Sequence, residues 1–187
     1  EFETNTPTRT CPECRSLTVP IGDLHEDPVL GRAFRRIPMG TTVKYAPRVR
    51  SGLAWLDGAL GGGIVPGTVA LLAGAPGIGK TTLLVQLAGT FAERLKTDVL
   101  FASSEEAEPL FQERAGRLSI TTPHLYFLEA WDLEEILREA QGVDLLVVDS
   151  LQTVLMPELD ATAGGVKQVC ECAARLVEWA REKGCPV

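Results

Sequence analysis

Residues 68–82 read T-V-A-L-L-A-G-A-P-G-I-G-K-T-T, and this stretch decides the fold. Thr68–Ala73 is an apolar run of strand length. Gly74–Thr82 satisfies G-x-x-x-x-G-K-[ST] through Gly74, Gly79, Lys80 and Thr81. Leu83, Leu84, Leu87, Ala88, Phe91 and Leu95 then recur at helical spacing. A strand, a glycine-rich turn and a helix in that order are the context a phosphate-binding loop requires. The loop Gly74, Ala75, Pro76, Gly77, Ile78, Gly79, Lys80, Thr81 and Thr82 would wrap the phosphates of ATP. Its glycines allow the turn, and the helix N-terminus adds free N–H donors and partial positive charge. Lys80 would reach the β- and γ-phosphates, and the Thr81 hydroxyl would ligate Mg²⁺.

Working outward, Asp98–Ala102, His124–Leu128 and Val143–Val148 are further strand candidates. Runs that are apolar at consecutive positions suit strands buried on both faces, hence a parallel sheet. Asp132 is placed to cap a helix that Gly142 ends, with Glu135 in capping-box position. Val166, Val169, Cys170, Ala173, Val177 and Ala180 form an apolar stripe that ends at Gly184. Cys185-Pro186-Val187 reads as the opening of a fifth strand. The alternation predicts an α/β domain, a mostly parallel sheet with helices on both faces.

Two acidic features complete the candidate site. Leu145–Asp149 puts a carboxylate at the C-terminal tip of a buried strand, where open α/β sheets bind ligands. Asp149 would hold Mg²⁺ in the manner of a Walker B aspartate. Ser103-Ser104-Glu105-Glu106 follows the second strand, and hydrolysis needs a base to polarise the attacking water. We read Glu105 as that base, ahead of Glu106; the alternative is that both glutamates decorate a helix N-terminus, where the dipole favours acids.

The 187 residues are 45% hydrophobic and 23% charged, enough for one sizeable core and a small appendage. No apolar run approaches the ~20 residues of a membrane span. The net charge of −7 argues against a protein that coats nucleic acid by bulk positive charge. Residues 1–50 carry 8 Lys/Arg against 6 Asp/Glu, and residues 51–187 carry 10 against 19. Arg32, Arg35, Arg36, Lys44, Arg48 and Arg50 cluster without an acid between them, as a solvated linker or a local phosphate-binding patch. Five cysteines, with no signal peptide in view, point to a reducing cytosol. Cys11 and Cys14 form a CxxC that could fill two corners of a tetrahedral Zn²⁺ site. His25 and His124 are isolated, so this is half a site.

Together these residues resemble the bacterial RadA/Sms family of DNA-repair ATPases within the RecA-like superfamily. Ser51–Gly67 (S-G-L-A-W-L-D-G-A-L-G-G-G-I-V-P-G), the P-loop, Ser103–Glu106, Asp149–Val154 (D-S-L-Q-T-V) and Gly165–Cys172 (G-V-K-Q-V-C-E-C) carry the resemblance. It implies a RecA-like P-loop fold, with residues 1–27 as the remnant of a four-cysteine zinc finger. Residues 28–50 would be a basic linker and 51–187 an ATPase domain incomplete at its C-terminus. The chain opens Glu1-Phe2-Glu3, which suits a piece truncated at both ends, lacking an upstream CxxC and a downstream K-N-R-F-G motif. Ser104 stands where the family commonly has glycine, and Cys170 where it commonly has arginine.

The resemblance further implies ATP and Mg²⁺ as cofactors, Zn²⁺ in the parent protein, and a cytoplasmic homo-hexamer working with a RecA-type recombinase. That ring would hydrolyse ATP and move on single-stranded or branched DNA to drive branch migration. DNA would be met by loops such as Leu155–Gln168, with Lys167 and Gln168 as contact candidates. Residues 1–187 alone are expected to be inactive. The alternative is an ATP-binding regulator or assembly protein of the KaiC kind without motor activity. A small-molecule P-loop kinase is a third reading.

Overall fold

The computed structural model describes residues 9–10, 17–18, 47–162 and 164–187. The chain divides into two compact units, Glu1–Lys44 and Tyr45–Val187. In the first, β1 (Arg9–Thr10) pairs antiparallel with β2 (Leu17–Thr18), joining the two ends of segment 11–16. Cys11, Cys14, His25 and the basic residues from Arg32 to Lys44 lie outside the described residues.

The second unit is built on three parallel strands in the order β4 (Leu125–Glu129), β3 (Val99–Ser103), β5 (Leu145–Asp149). Successive side chains of a strand point to opposite faces, and the core divides accordingly. Val99, Phe101, Leu145 and Val147 pack with Val85, Ala88 and Phe91 of α2 (Lys80–Leu95) and Phe111 of α3 (Glu108–Arg117). Leu100, Ala102 and Leu146 pack on the other face with Leu133, Ile136 and Leu137 of α4 (Leu133–Glu139) and with α5 (Val166–Lys183). The fold is therefore the α/β, RecA-like P-loop arrangement that the sequence implies. Phe101, Phe111 and Phe127 form an aromatic cluster, with Phe111 and Phe127 centroids 4.4 Å apart. The strand β4 is at the sheet's edge and only partly buried, unlike β3, which is buried throughout.

Several local expectations hold. Asp132 caps α4, its Oδ1 accepting from the Glu134 N–H at 2.9 Å. Gly184 closes α5 in the left-handed conformation at φ +67°, where a side chain would be strained.

The run Thr68–Ala73 departs from expectation: it is extended but forms no assigned strand. Its Ala70 N–H donates to Val187 O at 2.8 Å, and the Val187 N–H donates to Thr68 O at 2.9 Å. Across the same segment, Leu146 N–H donates to Pro186 O at 3.1 Å. Cys185–Val187 thus lies between the P-loop run and β5, as the opening of a further strand. Burial needs a neighbour on each side, and the cross-chain backbone pairing of this run among the described residues is with Val187. Leu71 is consequently 77% exposed and Leu72 41% exposed, contrary to the two-sided burial expected.

The helix α5 is also phased differently. Its buried residues are Gln168, Cys172, Leu176, Trp179 and Ala180, whereas Val166 is 82% exposed and Cys170 is exposed. The large side chains of Leu176 and Trp179 set the phase, because they remove the most apolar area from water.

Candidate active site

The motif Ser51–Gly67 acts as a structural brace. Asp57 Oδ1 accepts from the Ser51 N–H at 2.8 Å and the Ser51 hydroxyl at 2.7 Å, starting the chain into α1 (Ala54–Ala59). Val49 pairs with Ile64 in both directions at 2.8 Å. A Cβ on Gly63 would lie 2.6 Å from Val49 O, so glycine is required there. The Arg48 guanidinium donates to Leu60 O at 2.8 Å and Gly63 O at 3.2 Å. This basic residue therefore works in the fold, and the domain's contacts begin before Ser51.

The P-loop enters α2 through Gly79 at φ +100°, a left-handed cap that strongly favours glycine. Lys80 Nζ donates to Gly74 O and Ala75 O, both at 3.0 Å, which folds the lysine back over its own loop. One residue on, the Thr81 hydroxyl donates to Asp149 Oδ2 at 2.7 Å. The helix start and the tip of β5 thus meet where the sequence placed a magnesium site.

Asp149 is buried, and its carboxyl is held above the ordinary value of 3.8. Burial is the largest cause; the Thr81 hydrogen bond opposes it, and the charges of Glu105 and Glu106 add to it. A hydroxyl and a destabilised carboxylate, close to two further acids, fit a hard divalent cation that keeps waters and phosphate oxygens as its other ligands. Thr81 and Asp149 would hold it. Among the described residues no group of three or more His, Cys, Asp or Glu forms a metal cluster.

The two glutamates have separate surroundings. The buried Ser103 hydroxyl accepts from the N–H groups of Glu105 at 3.2 Å and Glu106 at 3.0 Å, turning the chain at the tip of β3. Glu106 then points to Arg114 of α3, which donates through Nη2 at 2.8 Å and through Nε to both carboxylate oxygens at 3.2 Å. Arg114 Nη1 also donates to Thr82 Oγ1 at 3.1 Å. Glu105 is exposed and receives the Ser150 hydroxyl at Oε1. It stays open to water, as a base must be, whereas Glu106 is committed to a clamp.

The structure thus brings Lys80, Thr81, Asp149 and Glu105 to one end of the sheet. It does not bring Gln168 there. Gln168 is fully buried on α5, its Nε2 donating to Cys172 Sγ at 3.5 Å, which contradicts its expected place on a nucleic-acid face. Lys167 is exposed. Sequence reasoning missed Arg114, for which a lone arginine on an amphipathic helix gives no signal. It also assigned no role to Ser150 and Thr153, although D-S-L-Q-T contained both.

The family described as AAA domain matches residues 51–187. The chain is 42% identical over 140 residues to the DNA repair protein RadA of Halalkalibacterium halodurans, covering 74% of this chain and 30% of the relative. It is 40% identical over 143 residues to that of Bacillus subtilis, covering 75% and 31%. The chain belongs to the RadA/Sms family. A further RadA/Sms relative, the DNA repair protein RadA of Escherichia coli, is 37% identical over 145 residues, covering 76% of this chain and 31% of the relative. The chain matches about a third of the length of these curated relatives. No helix among the described residues is long and apolar enough to cross a membrane.

Proposed function

We propose that this chain is the nucleotide-hydrolysing core of a DNA-dependent ATPase of DNA repair and recombination. The observation that carries the reading is the 2.7 Å bond from the Thr81 hydroxyl to Asp149 Oδ2. It puts the two expected magnesium ligands, on elements far apart in the chain, side by side next to Lys80.

The chemistry follows from these side chains. Loop N–H groups and the α2 N-terminus cradle the phosphates of ATP. Lys80 exchanges the Gly74 and Ala75 carbonyls for phosphate oxygens and stabilises the charge that grows on them. Thr81 and Asp149 would hold Mg²⁺, which would supply neutralisation of the charge on the phosphates. Glu105 orients the attacking water and takes its proton, while the bond from the γ-phosphorus to the bridging oxygen breaks and ADP leaves.

The relatives' names support a role in DNA repair. On the same reading the whole protein is a cytoplasmic homo-hexamer that drives branch migration on single-stranded DNA beside a RecA-type recombinase. A few cations such as Lys167 along a ring's inner loops suffice for an acidic chain to hold DNA. We assign residues 1–27 to a zinc finger in which Cys11 and Cys14 supply two of four ligands, 28–50 to a basic linker whose end, at Arg48 and Val49, is bonded into the ATPase fold, and 51–187 to the ATPase domain.

The test is phosphate release by the protein as encoded, with Mg²⁺, with and without single-stranded DNA. We expect stimulation by DNA and loss of turnover in Lys80→Ala. Normal turnover in that variant overturns the P-loop assignment. Turnover indifferent to DNA favours the KaiC-like regulator instead.

A further inference from the structure

The tip of β3 and the tip of β5 are joined by three hydroxyls that the proposed chemistry does not yet use. Ser150 donates to Glu105 Oε1. Thr153 lies beneath it, with Oγ1 at 3.2 Å from Ser150 Oγ and 3.1 Å from Ser150 O. Ser104 Oγ is 2.5 Å from Thr153 Oγ1. Each hydroxyl has one proton, and one arrangement satisfies all three. Ser104 donates to Thr153, Thr153 donates to the Ser150 carbonyl, and Ser150 donates to Glu105. The Ser104 N–H also donates to Asp149 O at 3.1 Å, tying the same two strand tips through the backbone.

We propose that Ser150, held by Thr153 and Ser104, is the positioning residue for the base Glu105. The inference rests on the reading of Glu105 as base. Glu105 is exposed and, among the described residues, has no cationic partner within ion-pair distance. A glutamate of that kind samples several rotamers, and ordering it has an entropic cost. The Ser150 hydroxyl fixes Oε1 and leaves Oε2 to face the attacking water. Thr153 fixes Ser150 in turn, because the Thr153 N–H also donates to Ser150 O at 3.2 Å and closes a tight turn. Ser104 thereby acquires a task that glycine cannot perform.

The experiment is steady-state ATP hydrolysis by the encoded protein and its Ser150→Ala, Ser150→Thr, Thr153→Val and Glu105→Gln variants. Ser150→Ala is expected to lower kcat about 10- to 100-fold, the scale of a misplaced reacting group. KM for ATP and the Mg²⁺ dependence should stay unchanged, since only the transition state is affected. Ser150→Thr, which keeps the hydroxyl, should recover most of the rate. Thr153→Val, nearly isosteric, should lower kcat in the same direction without the burden of a cavity. In the Glu105→Gln background, Ser150→Ala should cost little more, because residues acting as one unit are not additive.

Wild-type kcat in both Ser150→Ala and Thr153→Val, with Glu105→Gln inactive, overturns the positioning role and leaves the base intact. Full additivity of Ser150→Ala with Glu105→Gln also overturns it. Wild-type turnover in Glu105→Gln instead overturns the reading on which the inference rests.

Discussion

Arg114 holds Glu106 by three contacts, Nη2 to Oε1 at 2.8 Å and Nε to both oxygens at 3.2 Å. The pair is mostly shielded, with Arg114 26% and Glu106 11% exposed. The neighbouring charge favours the guanidinium's protonated form, chiefly through the hydrogen bonds to Glu106. From there Arg114 reaches Thr82 in the first turn of α2, so α3 braces the P-loop helix through a charge pair. Two adjacent glutamates of identical chemistry thus have different partners, an arginine for Glu106 and the Ser150 hydroxyl for Glu105.

The clamp predicts a contrast between binding and turnover. Arg114→Ala should weaken ATP binding, because Thr82 and the α2 start lose their brace and Glu106 is left as a shielded, unpaired carboxylate. Glu106→Gln should keep turnover within about tenfold of wild type, far from the 10²–10⁴-fold loss of a general base. Nucleotide titration and phosphate release on the two variants check this.

Asp149 predicts a dependence on pH and metal. Burial raises its folded pKa above the ordinary 3.8, so folding favours the neutral acid. That contribution is present below the ordinary pKa and is lost as pH rises through the folded value. At neutral pH without metal the ionised Asp149 therefore works against the fold. Asp149→Asn should melt higher than wild type in EDTA at pH 7, and the difference should shrink as pH falls. Mg²⁺–nucleotide should stabilise wild type and not the variant. Thermal melts across pH and metal test both statements.

The cysteines of the second unit predict a reactivity order. Cys170 is exposed, whereas Cys172 and Cys185 are buried. Burial pushes the Cys172 thiol up, and that of Cys185 up to about 11. A maleimide at pH 8 should label Cys170 rapidly and the other two only on unfolding, as read by peptide mass mapping. The raised Cys185 value also makes its stabilising contribution complete below the unfolded pKa of 9.0 and lost as pH climbs through about 11.

The exposed run Val69–Leu72 predicts the behaviour of residues 1–187 by themselves. Leu71 is 77% exposed, and β-pairing on that run extends only to Val187. An apolar run paired at one end alone does not hold the P-loop rigid. ATP turnover by residues 1–187 alone should stay at background, with strong binding of a hydrophobic dye. Wild-type turnover by this piece would contradict the account of the strand.

The site was legible where chemistry is local. Gly79, Lys80 and Thr81 lie within three residues, and Asp149 ends an apolar strand, so spacing alone placed them. The phase of α5 was not legible, because counting apolar positions weighs Val166 and Cys170 equally with Trp179 and Leu176. Packing weighs them by area, and that turned Gln168 inward. The fate of Leu71 and Leu72 depends on a neighbouring strand, which a strand's own residues do not reveal. The Arg114 clamp joins α3 to both a loop and another helix, a three-way contact without sequence periodicity.

The most direct measurement of the central claim is a paired assay of Glu105→Gln: ATP binding by titration and hydrolysis in a single turnover. The account predicts binding close to wild type, because the Glu105 side chain bonds to Ser150 rather than to the loop or the Thr81–Asp149 pair. It predicts hydrolysis slower by about 10²–10⁴-fold, the loss expected when a general base is removed. Hydrolysis at the wild-type rate in this variant would contradict it.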